Sequence, residues 1–215
     1  MLSSLAVACV SLTAMGCAAA LVAIRAGSPG AYVFSKAAAS LGFIGTALAV
    51  GATGTAWSAV AVGALVLSAA GDIALSTRGK KSFIIGLACF ALAHSVYVVA
   101  FGLYGTGGEI LGITGSISAL IAAGAWLALY RRLPARIRIP VGVYVVVVMA
   151  MMALGTAAGI THRAWMLAAG VVLVAGSDIA VGRERFGTPA FANKLVGLPT
   201  YYLGQTLIAL SLVGP

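Results

Sequence analysis

Two carboxylates of this chain, Asp72 and Asp178, sit inside apolar runs and share a local pattern. Ala-Gly-Asp-Ile-Ala-Leu surrounds the first and Gly-Ser-Asp-Ile-Ala-Val the second. The whole chain holds only four acidic residues, so half of them stand where a charge is expensive. A carboxylate at the centre of a bilayer costs at least about 2.5 kcal/mol, which makes an intramembrane Asp a functional candidate by default. Two in matching contexts point to a paired-carboxylate site. Brought close together in a low dielectric, two carboxylates resist ionising at once, so the pair would offer a general acid beside a general base. Glycoside hydrolysis uses that division of labour.

Other polar residues fall in the same kind of run. Lys36 lies early in a second apolar stretch. His94 and Tyr97 share one face of a fourth (i, i+3), and Tyr201 and Gln205 share one face of the last (i, i+4), with Tyr202 beside them. Ser68 lies one turn from Asp72, and Ser177 adjoins Asp178. Backbone polar groups are satisfied within helices, so side-chain polarity at these positions needs another reason. Plainer readings exist for each: an Asp paired with an interfacial cation, a snorkelling Lys36, a packed His94, or Tyr201 and Tyr202 in an aromatic belt. Metal chemistry is disfavoured, because of the two histidines His162 falls in an outer loop and leaves His94 as a sole imidazole. No Gly-x-Ser-x-Gly elbow and no Walker loop is present. We therefore expect no metal and no cofactor.

The elements that must position these groups follow from composition. With 62% hydrophobic and 8% charged residues and a mean hydropathy of +1.11, the chain could not cover a soluble surface with polar groups. The expected fold class is all-α: a polytopic membrane helix bundle forming a single integral membrane domain over 1–215. Eight apolar stretches are long enough to cross a bilayer, at 4–24, 31–50, 56–75, 83–104, 109–130, 141–160, 164–182 and 195–213. The first lacks a basic leader and reads as a retained helix rather than a signal peptide. Cys9, Cys17 and Cys89 lie in apolar runs without metal spacing and read as small packing residues. The Met149, Met151 and Met152 group also reads as packing. Glu109 and Glu184 read as solvated.

The net charge of +9 would suggest nucleic acid in a soluble protein, but here it belongs to loops, and no nucleic-acid partner is expected. The odd-numbered loops carry Arg25; Arg78, Lys80 and Lys81; Arg131, Arg132, Arg136 and Arg138; and Arg183, Arg185 and Lys194. The even loops carry Arg163 alone. The positive-inside rule puts the odd loops in the cytoplasm and both termini outside. The expected setting is a bacterial inner membrane. Asp72 and Asp178 are 106 residues apart, about half the chain. Each precedes a basic loop and then a helix carrying polar aromatics. Four crossings return a chain to its starting side, so this spacing predicts two parallel four-helix halves, about 1–108 and 109–215, with both aspartates at one depth near the cytoplasmic face.

These motifs resemble a known family. Gly71-Asp72-x-x-Leu75 followed by Phe83-x-x-Gly86-x-x-x-Phe90-x-x-x-His94-x-x-Tyr97-x-x-x-Phe101 is similar to the first signature of the YhhN/TMEM86 family. Ser177-Asp178-Ile179, Arg185-Phe186 and Tyr201-Tyr202-x-x-Gln205 are similar to its C-terminal signature. The likeness runs from about Lys36 to the C-terminus. One departure is Lys36-Ala37, where the family has Lys-Pro, which leaves the helix break there open. The resemblance implies a lysoplasmalogenase: hydrolysis of the vinyl ether bond of a bilayer lysophospholipid to a fatty aldehyde and a glycerophospho-ethanolamine or -choline. Asp72 and Asp178 would then be the catalytic carboxylates. His94, Tyr97, Tyr201, Tyr202 and Gln205 would orient water and glycerol oxygens. Lys36, with Lys81 and Arg185, would hold the phosphate.

Two other classes stay open at this stage. A small-solute or proton-coupled carrier also uses repeats and intramembrane polar groups, but it would need polar residues through both leaflets. A non-catalytic lipid-binding scaffold would tolerate loss of both aspartates.

Overall fold

The computed structural model describes residues 2–77 and 79–213; Arg78, counted above among the third-loop cations, lies outside the described residues. Eight helices follow one another: α1 Ser4–Arg25, α2 Pro29–Ala49, α3 Ala56–Ser76, α4 Lys80–Tyr104, α5 Gly108–Tyr130, α6 Ala135–Thr161, α7 Trp165–Phe186 and α8 Phe191–Ser211. The described residues contain no strand. The class is all-α, and seven helices, α1 to α7, are long and apolar enough to cross a membrane. The protein is a multi-pass integral membrane protein. The eighth expected span differs in kind. α8 has 21 residues, about 31 Å at 1.5 Å per residue, but Asn193, Lys194, Thr200, Tyr201, Tyr202, Gln205 and Thr206 lower its apolarity. Most of those side chains face protein, where hydrophobicity is not required.

Helix ends are set by local chemistry. Ser3 accepts from Ala6 N at the start of α1, and Thr55 and Ser58 form a reciprocal capping box at the start of α3. Gly27, at φ +64°, supplies the left-handed turn between α1 and α2. α6 begins at Ala135 rather than near 141 and runs through Pro140. α7 continues to Phe186 rather than ending near 182. Arg136, Arg138, Arg183 and Arg185, expected in loops, are therefore helical. Their long side chains keep the charge at the end of the bundle while the backbone stays hydrogen-bonded. α2 passes unbroken through Lys36-Ala37.

Packing gives the architecture. α2, α3, α4, α6, α7 and α8 close a ring in which each touches the next and α8 returns to α2; α3 and α8 also touch. α1 stands outside against α2 and α8, and α5 outside against α6. Small residues let the paired backbones approach, the usual device where water cannot drive helix association. A Cβ built on Gly170 of α7 would lie 2.8 Å from Gly204 O, and one on Gly204 of α8 would lie 2.8 Å from Gly170 O. On α3, a Cβ at Gly71 would lie 2.8 Å from the Phe90 ring of α4.

The turns at the two ends are tied by contacts distant in sequence. At one end, His162 Nε2 lies 3.2 Å from Gly105 O and stacks on Tyr104, while Gly107 N donates to Thr161 Oγ1. At the other, Arg25 covers the Phe191 ring at 4.5 Å and Arg185 covers Phe83 at 4.2 Å. Glu184 is not a freely solvated loop residue. It accepts from Ala190 N and Asn193 Nδ2, each at 3.0 Å, and pairs with Lys194 at 3.1 Å, because the extended α7 brings it over the turn into α8.

Candidate active site

The interior of the six-helix ring collects the polar residues of six helices. Asp72, near the C-terminal end of α3, is 3% exposed and fully engaged. Its Oδ1 pairs with Lys36 Nζ of α2 at 2.7 Å. Its Oδ2 accepts from Ser40 Oγ at 3.2 Å and from the Tyr202 hydroxyl of α8. Lys36, also 3% exposed, donates in addition to the Asp72 carbonyl at 3.0 Å, and Ser76 Oγ donates to that carbonyl at 2.8 Å. Lys36 therefore does not present its ammonium to a phosphate, as the sequence suggested. Buried this deeply, it needs an anionic partner, and the carboxylate one helix away supplies it.

Asp178 has a different setting. It is half-buried on α7, and its Oδ2 accepts from the Tyr144 hydroxyl of α6 at 3.0 Å. Among the described residues its Oδ1 has no partner. The two aspartates do not share a hydrogen bond, so they are not a pair holding one proton between them. They also differ in distance from their helix ends. Asp72 precedes Ser76 by one turn, about 6 Å, whereas Asp178 precedes Phe186 by about 12 Å, because α7 extends further than expected.

An arc of rings joins the two acids. Tyr202 meets Tyr201 at 5.0 Å between centroids, Tyr201 meets Phe90 at 5.8 Å, Phe90 meets His94 at 6.1 Å, and His94 meets Tyr144 at 5.7 Å. The contacts alternate among α8, α4 and α6. Tyr97 donates to Gln205 Oε1 at 2.7 Å, and Tyr201 donates to the Ser68 carbonyl at 3.3 Å. Ser177 Oγ bonds within its own helix to Val174 O. Several groups lining the arc keep hydrogen-bonding capacity unused by protein: both ring nitrogens of His94, Ser68 Oγ and Gln205 Nε2. His94 is nevertheless 0% exposed. Buried polar groups without protein partners are uncommon and mark a place for water or a ligand.

Most of the residues singled out in the sequence thus belong to one interior, namely Lys36, Asp72, His94, Tyr97, Asp178, Tyr201, Tyr202 and Gln205, whereas Lys81 and Arg185 are exposed at the end of the bundle. Sequence reading missed two. Ser40 lies one turn from Lys36, a spacing that could have flagged it. Tyr144 sits in the run Val141-Gly-Val-Tyr-Val-Val and reads as packing. Its signal was positional, since it precedes Asp178 by 34 residues while Lys36 precedes Asp72 by 36. The described residues hold no group of three or more His, Cys, Asp or Glu placed to hold a metal.

Comparison with known proteins gives a consistent picture. The YhhN family model matches residues 31–212. Lysoplasmalogenase TMEM86B of Homo sapiens is 35% identical over 150 residues, covering 69% of this chain and 61% of that protein. Lysoplasmalogenase TMEM86A of Bos taurus is 33% identical over 157 residues, covering 69% of this chain and 63% of that protein. The human TMEM86A lysoplasmalogenase is also 33% identical, over 156 residues, with the same coverage. The chain thus spans about three fifths of the length of the curated relatives it matches. No solved structure matches it.

Proposed function

The chain belongs to the YhhN family, and from that premise and its ring interior we propose that it is a membrane lysoplasmalogenase hydrolysing the vinyl ether bond of a lysoplasmalogen. The observation that carries this reading is the arc from Asp72 to Asp178. It offers two carboxyl groups in unlike settings, joined by aromatic surface and by polar groups not used for folding. Relatives about one third identical carry the name lysoplasmalogenase, and the residues above fall in the matched region.

The chemistry suits such a site. Protonation of the alkene carbon gives an oxocarbenium ion, which aromatic faces and a carboxylate stabilise. Water then adds, and the hemiacetal collapses to a fatty aldehyde and a glycerophospho-ethanolamine or -choline. His94, Gln205 and Ser68 have the free donors and acceptors to orient that water and the glycerol oxygens, with Tyr97 and Tyr201 fixing Gln205 and the α3 backbone. Lys81 and Arg185 are among the cations at the end where Asp72 lies that could hold the phosphate. No cofactor enters the scheme, and the substrate comes laterally from the bilayer.

The reading includes an orientation. The basic ends of α1, α3, α5 and α7 face the cytoplasm of a bacterial inner membrane, following the loop charges. It also includes two parallel halves, about 1–108 and 109–215. In support, α2 contacts α3 and α8 while α6 contacts α7 and α4, which is the same scheme half a chain later.

The test is mass-spectrometric detection of fatty aldehyde from an alkenyl lysophospholipid in detergent micelles. Wild type should release aldehyde, and the doubly substituted Asp72→Asn/Asp178→Asn protein should not. Aldehyde from the double variant, or none from folded wild type, overturns the reading.

A further inference from the structure

Resting on the hydrolase reading, we propose that the two aspartates hold separate offices: Asp178 delivers the proton to the alkene carbon, Tyr144 positions it for that step, and Asp72 is the fixed anion. The assignment follows from what each carboxyl already touches. Asp72 accepts from Lys36 on one oxygen and from Ser40 and Tyr202 on the other. With a cation against one oxygen and two donors on the other, it is held as the carboxylate and is the poorer carrier of a proton to substrate. Asp178 accepts from one donor, on Oδ2, and its Oδ1 has no partner among the described residues.

The sequence offset explains why the two differ. The position 106 residues after Lys36, as Asp178 is after Asp72, is Gly142. No ammonium can reach Asp178 from there. Gly142 also faces α5, where an added Cβ would come within 3.1 Å of the Trp126 ring, so the site does not admit a long side chain without rearrangement. Tyr144, two residues on, makes the α6–α7 contact instead. A phenol differs from an ammonium in a way that matters here. It donates one hydrogen bond without neutralising its partner, so it fixes the carboxyl whether or not the carboxyl holds a proton. Its ring is held in turn against His94, whose two ring nitrogens have no protein partner.

The reaction balances on these groups. The proton on Asp178 Oδ1 passes to the alkene carbon remote from oxygen, whose π pair forms the new C–H bond. The cation is shared between the adjacent carbon and the ether oxygen, with Asp72 across the aromatic arc. Water attacks that carbon and returns a proton to the Asp178 carboxylate. The hemiacetal then breaks its bond to the glycerol oxygen, which takes up a proton as the hemiacetal hydroxyl loses one. Only water is consumed. Tyr144 donates to Oδ2 throughout and stabilises the carboxylate that forms as the proton leaves.

The experiment compares wild type, Tyr144→Phe, Asp178→Ala and Asp72→Ala, each as the full chain in detergent, with an alkenyl lysophosphoethanolamine as probe. Tyr144→Phe should melt with wild type yet lose roughly ten- to a hundredfold in kcat, the worth of one hydrogen bond to a developing charge, with KM unchanged. Its solvent deuterium isotope effect on kcat should be at least that of wild type, because proton transfer to carbon limits it. Added formate should restore aldehyde release to Asp178→Ala, by replacing the missing acid, and should leave Asp72→Ala unchanged. An unchanged kcat in Tyr144→Phe, a loss confined to KM, or rescue of Asp72→Ala instead overturns the assignment while leaving a hydrolase in place. A wild type that releases no aldehyde removes the underlying reading.

Discussion

Replacing the buried Lys36 with methionine should destabilise this protein strongly, and a double-mutant cycle can show why. The ammonium and the Asp72 carboxylate are 2.7 Å apart and each residue is 3% exposed. At an effective dielectric of about 20, their gross attraction is on the order of 6 kcal/mol, most of which offsets the cost of taking both charges out of water. The net value of the pair is therefore small, but the cost of breaking it is not. Methionine fills the space of the lysine stem and leaves Asp72 with Ser40 and Tyr202 as its only side-chain donors. A buried carboxylate stripped of its cation costs about 3–5 kcal/mol. Asp72→Asn alone should cost a similar amount, because it strands the ammonium. The double variant Lys36→Met/Asp72→Asn removes both charges while the amide oxygen still accepts from Ser40 and Tyr202. It should recover up to about 3 kcal/mol relative to the sum of the singles. The assay is reversible unfolding by denaturing detergent in mixed micelles, followed by helicity for all four proteins. Additive single and double effects, or a Lys36→Met protein as stable as wild type, would refute the idea that this ion pair is closed and self-compensating.

Other expectations follow from the same contacts. Gly204→Leu drives a side chain into the Gly170 backbone from 2.8 Å, and it should cost at least about 1–3 kcal/mol, read as a lowered melting temperature. A wild-type melt would mean that α7 and α8 can separate freely. His94→Phe keeps the ring and loses no protein hydrogen bond, so stability should stay within about 0.5 kcal/mol while aldehyde release falls; unchanged turnover would make His94 a packing residue. Glu184→Ala should cost about 1 kcal/mol, since it removes two hydrogen bonds and a partly exposed ion pair whose own share is small. A cost above about 3 kcal/mol in a thermal melt would give that turn a larger role than its geometry supports.

Membrane helices are the elements most readily legible in a sequence, because hydrocarbon forces every backbone bond to close locally and every lipid-facing side chain to be apolar. The sequence by itself therefore determined the all-α class, the number of long helices and the family signatures. It also determined which polar residues are out of place in apolar runs. Eleven of the thirteen basic residues cluster in or beside the odd-numbered connections between apolar runs, a pattern that needs no structure to see. Helix ends were less legible: α6 and α7 each extend past the first charged residues, because an arginine at a helix terminus can reach water without ending the helix.

Only the tertiary structure decided how the singled-out residues differ from one another. Asp72 and Asp178 look alike in their local frames, yet one is closed by Lys36, Ser40 and Tyr202 and the other is held by Tyr144 alone. Those partners lie 32 to 130 residues away along the chain, beyond the reach of any periodicity. Apart from its spacing before Asp178, nothing marked Tyr144 as a site residue, because a tyrosine in a valine-rich helix has the same sequence appearance whether its hydroxyl meets lipid head groups, another helix or a carboxylate. Which oxygen of an aspartate stays open depends on the packing of α2 on α3 and of α6 on α7, and hydrogen-bond geometry at that scale is fixed only when the ring closes.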